Sequence, residues 1–251
     1  MTKHYRTSPI QEAVCELRLG PAYQWGPDSP ERICRKLAPL FPLRENHVVQ
    51  GFRTEPSSMP YELGLMVSAS LEIELRTQDK QTVLKVGNRL VALSQLHPYD
   101  GWVAFQERLE HVLAAIGSVD PFNECQRVGL RYVNRIDFPT LDKVALLEKY
   151  FQFRPTPIPA LDTPPESYIA GCVVPCRTGK DWCRVQLSSA VKKEPQMASA
   201  LLDIDYWTNP SGSADGNSVV EWAQQAHSSV ESVFEDCITD ETRTLLGGDM
   251  A

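Results

Sequence analysis

Between residues 10 and 19 apolar and polar side chains alternate one by one. Ala13, Cys15, Leu17 and Leu19 fall on one side, and Glu12, Glu16 and Arg18 on the other. A period of two predicts a strand with one buried face. The same alternation runs from 61 to 76, where Leu65, Val67, Ala69, Leu71, Ile73 and Leu75 oppose Met66, Ser68, Ser70, Glu72, Glu74 and Arg76. Turn residues at 78–80 and 87–88 then mark strands over 82–86 and 90–96. Between the first two strands, residues 31–40 predict a short helix, with Ser29 as its cap and Pro30 at its first position. After the fourth strand the period changes to that of a helix. Trp102, Phe105, Leu109, Val112 and Ile116 form one stripe over 99–116, with Asp100 as the expected cap and Gly117 at the end.

The order then starts again: a strand over 126–138 and a helix over 141–151 with Val144, Leu147 and Phe151 inward. Five prolines within 154–165 make an extended connection. Strands follow over 168–174, 182–190 and 201–207. The loop TNPSGSADGN leads to a closing helix over 218–246, with Ser218 and Glu221 at capping-box spacing. Val219, Ala223, Ala226, Val230, Val233 and Cys237 line its expected buried side. The fold class expected is α+β, with two β-α-β-β-β-α pseudo-repeats, residues 1–120 and 121–251, in one domain. Their first strands meet edge to edge, giving a continuous curved antiparallel sheet with helices packed on one face. By analogy this looks like the saddle of the TATA-binding-protein class, and architecture by itself does not fix function.

Composition narrows the function classes. Hydrophobic residues make up 42% and charged residues 23% of 251, an ordinary globular mix. No apolar run approaches the ~20 residues of a membrane span, and no signal segment opens the chain, so a cytoplasmic protein is expected. The net charge of −7 is unevenly spread. Residues 1–198 carry 24 basic against 22 acidic side chains, and residues 199–251 carry one against ten. The chain as a whole is not a basic, phosphate-seeking one. Its acidic last fifth puts Glu221, Gln224, Ser228, Glu231 and Glu235 on the outward side of the closing helix. That side reads either as a solvated face or as a docking surface for a basic protein partner.

Several stretches resemble a sporadically distributed bacterial family, the TIGR04255 family. They are Pro9-Ile10-x-Glu12-Ala13-Val14-x-Glu16-x-Arg18, then Val86-Gly87-Asn88-Arg89-Leu90 leading into Tyr99-x-x-Trp102-x-x-Phe105, and Arg127-Val128-Gly129-Leu130-Arg131-Tyr132-Val133-Asn134-Arg135-Ile136. The last is Leu202-Asp203-Ile204-Asp205 followed by His227, Phe234-Glu235 and Ile238-Thr239. The family implies no established activity, cofactor or catalytic residue. Its sporadic distribution resembles that of accessory genes in phage-defence or CRISPR neighbourhoods. The Cys172–Cys183 region and the TNPSGSADGN loop depart from it.

Three constellations are candidates for chemistry. Arg127, Arg131 and Arg135 share a strand face over about 13–14 Å, at ~3.4 Å per residue. They read first as internal partners of Glu12 and Glu16, with Arg131 central to that pairing. The alternative is an anion or nucleic-acid surface. Asp203 and Asp205 leave their strand on one side, and with His227 they outline an alternative metal site for a hydrolase. Cys172, Cys176 and Cys183 form the one cysteine cluster, without tight knuckles or a fourth ligand nearby. No GxSxG, Walker loop, HExxH or GxGxxG is present. No cofactor is therefore expected, and the reading is a non-catalytic accessory protein that binds a protein partner. A nucleic-acid or nucleotide binder is the alternative.

Overall fold

The computed structural model describes residues 5–56, 63–122, 124–140, 146–156, 160, 165–176, 179–194, 196–210 and 215–248, with 49–56 and 63–71 described by backbone alone. In chain order the elements are β1 (Ile10–Leu19), α1 (Ser29–Leu37), β2 (Leu43–Pro56), β3 (Leu63–Arg76), β4 (Thr82–Gly87), β5 (Leu90–Leu96) and α2 (Trp102–Gly117). They continue with β6 (Cys125–Pro139), α3 (Leu147–Tyr150), β7 (Ile169–Cys176), β8 (Asp181–Ser189), β9 (Met197–Thr208), α4 (Gly216–Cys237) and α5 (Asp240–Leu245). The nine strands form one curved, open antiparallel sheet in the order β2-β3-β4-β5-β1-β6-β9-β8-β7. The class is α+β. Strands β1 and β6 are neighbours, with Ala13 opposite Tyr132 and Cys15 opposite Leu130.

The alternation read from the sequence decides which side of the sheet is covered. Ala13, Cys15 and Leu17 on β1, Leu130 and Tyr132 on β6, and Leu202, Ile204 and Tyr206 on β9 are all buried. They join one core with Ile33 and Leu37 of α1, Phe105 and Leu109 of α2, and Val219, Ala226 and Val230 of α4. The other side of the same strands carries Glu16, Arg127, Arg131, Asp203 and Asp205. Among the described residues the helices pack on the apolar face, and no described helix covers the charged side of β1, β6, β9 and β8, the open face. On the same side of β3, β4 and β5, Glu74, Val83, Ala92 and Ser94 are buried.

Several expectations are corrected. Between α1 and β3 lies a further strand, β2, whose sequence LRENHVVQGFRTEP shows no clean alternation and which lies at the sheet's edge. Asp100 does not cap α2: its carboxylate accepts from Arg108 at 2.8 Å, and Gly101, at φ 98°, makes the turn instead. Ser29 lies within α1, which Asp28 precedes. The closing helix begins two residues early. Asp215 is its cap, and Ser218, at the third position, completes the capping box that Glu221 was expected to supply. It also breaks at Ile238. Thr239 caps a separate α5, accepting from the Thr242 amide and donating to the Lys149 carbonyl at 2.6 Å. Of the expected helix over 141–151, residues 141–145, Val144 among them, lie outside the described residues; only a single turn, α3, follows.

Helices α2 and α4 meet at His227. Its ring lies 4.3 Å from that of Trp102 at an interplanar angle of 10°. Its Nδ1 is 3.0 Å from the Tyr132 hydroxyl, and its Nε2 is 3.3 Å from Glu231. Burial disfavours the imidazolium and lowers the pKa to about 4. Between about pH 6.5 and 4 the unfolded chain therefore binds a proton that the folded one refuses, so stability falls as the medium is acidified. Chemical denaturation at pH 7 and pH 5 should show a loss of ~1–2 kcal/mol from this group. In His227→Phe, which keeps the stack on Trp102, that part of the slope should vanish. An unchanged slope would mean that other groups carry the acid sensitivity.

Candidate ionic and aromatic site on the open face

The open face gathers charge because four neighbouring strands present their polar side there. Arg18 Nε donates to Glu16 at 2.8 Å, and Arg127 Nη1 donates to the same carboxylate at 3.0 Å. Arg127 Nη2 reaches across to Asp205 at 2.6 Å. Arg131 grips Asp203 as a two-pronged fork, with Nε at 2.7 Å and Nη2 at 2.8 Å from its two oxygens. Arg184, on β8, donates to Asp203 at 3.1 Å and lies 3.9 Å from Asp205. The result is an unbroken chain Arg18–Glu16–Arg127–Asp205–Arg184–Asp203–Arg131 across β1, β6, β9 and β8. Hydrogen bonds between ions are shorter and stronger than neutral ones, and a fork adds direction. The fork with Asp203 holds the Arg131 guanidinium charged, above its ordinary value.

Two tryptophans border the chain. Trp182 and Trp207 are directly opposite on β8 and β9, their rings stacked at 6.4 Å and 16°. The Arg127 guanidinium lies 5.3 Å over the Trp207 ring. Gly129 makes room for it, because a Cβ at that position would collide with the Arg127 guanidinium. A shallow depression of about 480 Å³ lies between Val14, Arg18, Arg131 and Trp207. Asp203 is almost covered, while Arg131 and Arg184 remain 43% and 37% exposed along their side chains. The Arg184 Nε is buried and has no acceptor among the described residues.

The expected arginine face exists, since 127, 131 and 135 project on one side, and its pairing is internal in kind. The partners are different. Glu16 serves Arg127 and Arg18, not Arg131, because it stands opposite Gly129 while Arg131 stands opposite Val14. Asp203, one diagonal step away on β9, takes Arg131. Glu12 acts on Arg131 only through its charge. Arg135 belongs to a separate group, donating to Asp137 at 2.9 Å, Ser199 at 2.8 Å and the Val191 carbonyl at 2.7 Å.

The metal alternative at Asp203, Asp205 and His227 is overturned by the sheet itself. Both aspartates lie on the open face, whereas His227 sits under the helices beside Tyr132. The cysteine alternative fails on distance. β7 continues through Pro175, so Cys172 and Cys176 are four residues apart on one strand, about 13–14 Å. Two Zn–S bonds of ~2.3 Å cannot close that gap. Among the described residues, Glu45, His47 and Glu74 come within ligand distance of one another. Glu74 there already accepts from Arg76 at 2.6 Å and lies 3.7 Å from Lys85, so positive charge is supplied by the protein.

On α4 the outward residues are partly engaged. Gln224 accepts from the Trp102 indole at 2.6 Å, Glu231 lies by His227, and Glu235 accepts from Tyr5 and from Arg243 at 2.8 Å. Glu221 and Ser228 are exposed on the remaining surface. Arg184, Trp182 and Trp207 were missed as site residues. Their signal was the alternation of Trp182, Arg184 and Gln186 along one side of a strand recognised only as structure.

No family model matches the chain, and no curated protein sequence matches it. No helix among the described residues is long and apolar enough to cross a membrane.

The fork makes a direct prediction. Arg131→Asp should cost ~2–3 kcal/mol, as expected for losing charged hydrogen bonds and opposing two acids. Adding Asp203→Arg should recover part of it, and adding Glu16→Arg should not. Urea unfolding of the three variants distinguishes the two pairings; recovery by Glu16→Arg would place the partner on β1.

Proposed function

We propose that this chain is a non-catalytic, cytoplasmic interaction protein that holds a protein partner against the open sheet face at Trp182, Trp207, Arg131 and Arg184. The observation that carries the reading is the stacked, partly exposed tryptophan pair beside the half-exposed guanidinium groups of Arg131 and Arg184, whose donors are not all taken among the described residues. Tryptophan and arginine are the side chains most enriched where binding energy concentrates. The charge balance points to the class of partner. The network holds four guanidinium groups against three carboxylates. A net of one positive charge is a poor match for a phosphate backbone, which rewards many unpaired cations. What the face offers is donors, because its carboxylates are already taken. The partner that fits is a folded protein presenting carboxylate or carbonyl acceptors together with an apolar side chain for the indoles. That differs from the basic partner expected for the acidic helix. The resemblance to the TIGR04255 family, whose sporadic distribution resembles that of accessory genes in phage-defence or CRISPR neighbourhoods, is an association that fits this reading and supplies no mechanism.

Affinity capture from the native host, with wild type and with Trp182→Ala and Trp207→Ala, tests the reading. A defined protein should co-purify with wild type at moderate salt. Each tryptophan variant should weaken its recovery ~10-fold or more, as loss of a central anchor does, while melting temperature stays within a few degrees. If Glu221→Lys abolishes capture and the tryptophan variants do not, the contact belongs to α4. If labelled DNA or RNA binds instead, with affinity falling steeply in salt, the nucleic-acid reading takes its place.

A further inference from the structure

β7 is one of the two terminal strands of the sheet, and it is uncovered on both faces as well as along its free edge; unlike β2, the other terminal strand, it carries no charged side chain. Ile169 and Val173 on the open face are 70% and 53% exposed, and Val174 on the helix side is 42% exposed beside exposed Cys172. Its sequence, IAGCVVPC, contains no charged residue. Edge strands are ordinarily kept from pairing with another chain by charges, bulges or cover. Here proline alone interrupts the edge.

The backbone shows which groups are available. Ser189 N–H donates to the Tyr168 carbonyl at 3.0 Å, so residue 168 faces β8. In an antiparallel ladder N–H and C=O of one residue point to the same side, and successive residues alternate. Residues 170, 172, 174 and 176 therefore bond to β8, while Ile169, Gly171 and Val173 turn both groups outward. Pro175 points outward too and has no N–H to offer. Among the described residues no strand pairs with this edge.

We infer that β7 is a self-association edge: two copies of this chain pair antiparallel through Ile169–Val173 about a twofold axis at Gly171, joining their sheets into one. In this register Gly171 faces Gly171, and Ile169 of each copy faces Val173 of the other. All three outward residues exchange both of their hydrogen bonds. Registers centred further along the strand bring Pro175 into the ladder and lose donors. A twofold contact needs a surface complementary to itself, and an uncharged strand meets its copy without like charges. The cross-strand pairs it creates, Ile169 with Val173, are β-branched residues on a pleated surface, a favourable combination. On the helix side Cys172 would stand opposite Ala170 of the other copy, at a non-hydrogen-bonded position. A second copy thus covers the exposed apolar side chains and the free backbone groups at once.

Sedimentation equilibrium of the whole chain, with Val173→Glu, with Ile169→Lys/Val173→Glu and with Ala170→Cys, tests the register. Wild type should be a reversible dimer. Val173→Glu should weaken it by roughly 10-fold or more by burying a lone charge. The double variant, which sets the introduced lysine of each copy against the introduced glutamate of the other, should regain most of the loss. Ala170→Cys should form an intermolecular disulfide with Cys172 on mild oxidation, since Cα atoms at such positions are ~4.5 Å apart, within disulfide range. Because the substituted side chains are on an uncovered strand, circular dichroism should report native folding in each. A wild type that stays monomeric through the micromolar range overturns the inference, and so does a dimer indifferent to Val173→Glu. Slow amide exchange at Ile169, Gly171 and Val173 in a monomer would overturn it too, by showing that the chain covers this edge itself. None of these failures bears on the open-face reading, which uses other residues and another test.

Discussion

Because β1 and β6 lie side by side in the middle of the sheet, with β9 next to them, one register governs both sides of the molecule. Side chains alternate along each strand, so a slip of a single residue would exchange the two faces. Leu130, Tyr132 and Ile204 would leave the core, and Arg131 and Asp205 would enter it. Moving a charged group into an apolar interior is far costlier than exposing an apolar one. The charges on the open face therefore specify the register against that slip as firmly as the apolar side chains favour the correct one.

The ionic chain across β1, β6, β9 and β8 adds a directional element that hydrophobic burial lacks. Exposed pairs generally contribute little to stability. Here Asp203 is nearly covered and Glu16 and Asp205 are half-buried, and Asp203 and Asp205 each answer to two arginines, so removing one member leaves charge unbalanced. Gly129 illustrates how closely the parts depend on one another. Its missing side chain is the space in which Arg127 lies, between two carboxylates and above an indole. The tryptophan pair takes its position from the same ladder, which sets Trp182 opposite Trp207.

Much of this was legible in the sequence wherever burial differs between faces. β1 agreed with its expected limits, and the meeting of β1 with β6 followed from the order of elements. The buried stripes of α2 and α4 were legible for the same reason. β2 was not, since an edge strand of mixed polarity leaves no alternation to read. Partner choice on the open face was also hidden: Arg131 bonds diagonally to Asp203 on a strand some seventy residues away, and alternation reveals a face but never an offset between strands. The grouping of His227 with Asp203 and Asp205 failed for a related reason. Nearness along the chain says nothing about which side of a sheet a following helix occupies. Capping erred by small shifts, as with Asp215 in place of Ser218, because Asp, Ser and Thr are chemically interchangeable there.

The central place of β1 has a consequence for how the molecule comes into being. β1 is made before both of its neighbours: Glu12 waits for Leu96, 84 residues on, and Ala13 for Tyr132, 119 residues on. Contacts so distant must overcome the entropy of closing long loops before they return any stability, which makes such topologies slow to fold. During synthesis Ala13, Cys15, Leu17 and Leu19 are therefore without one sheet neighbour until β5 has been made and without the other until β6 has. A strand whose core-facing apolar side chains end fully buried thus spends its early life with that face uncovered.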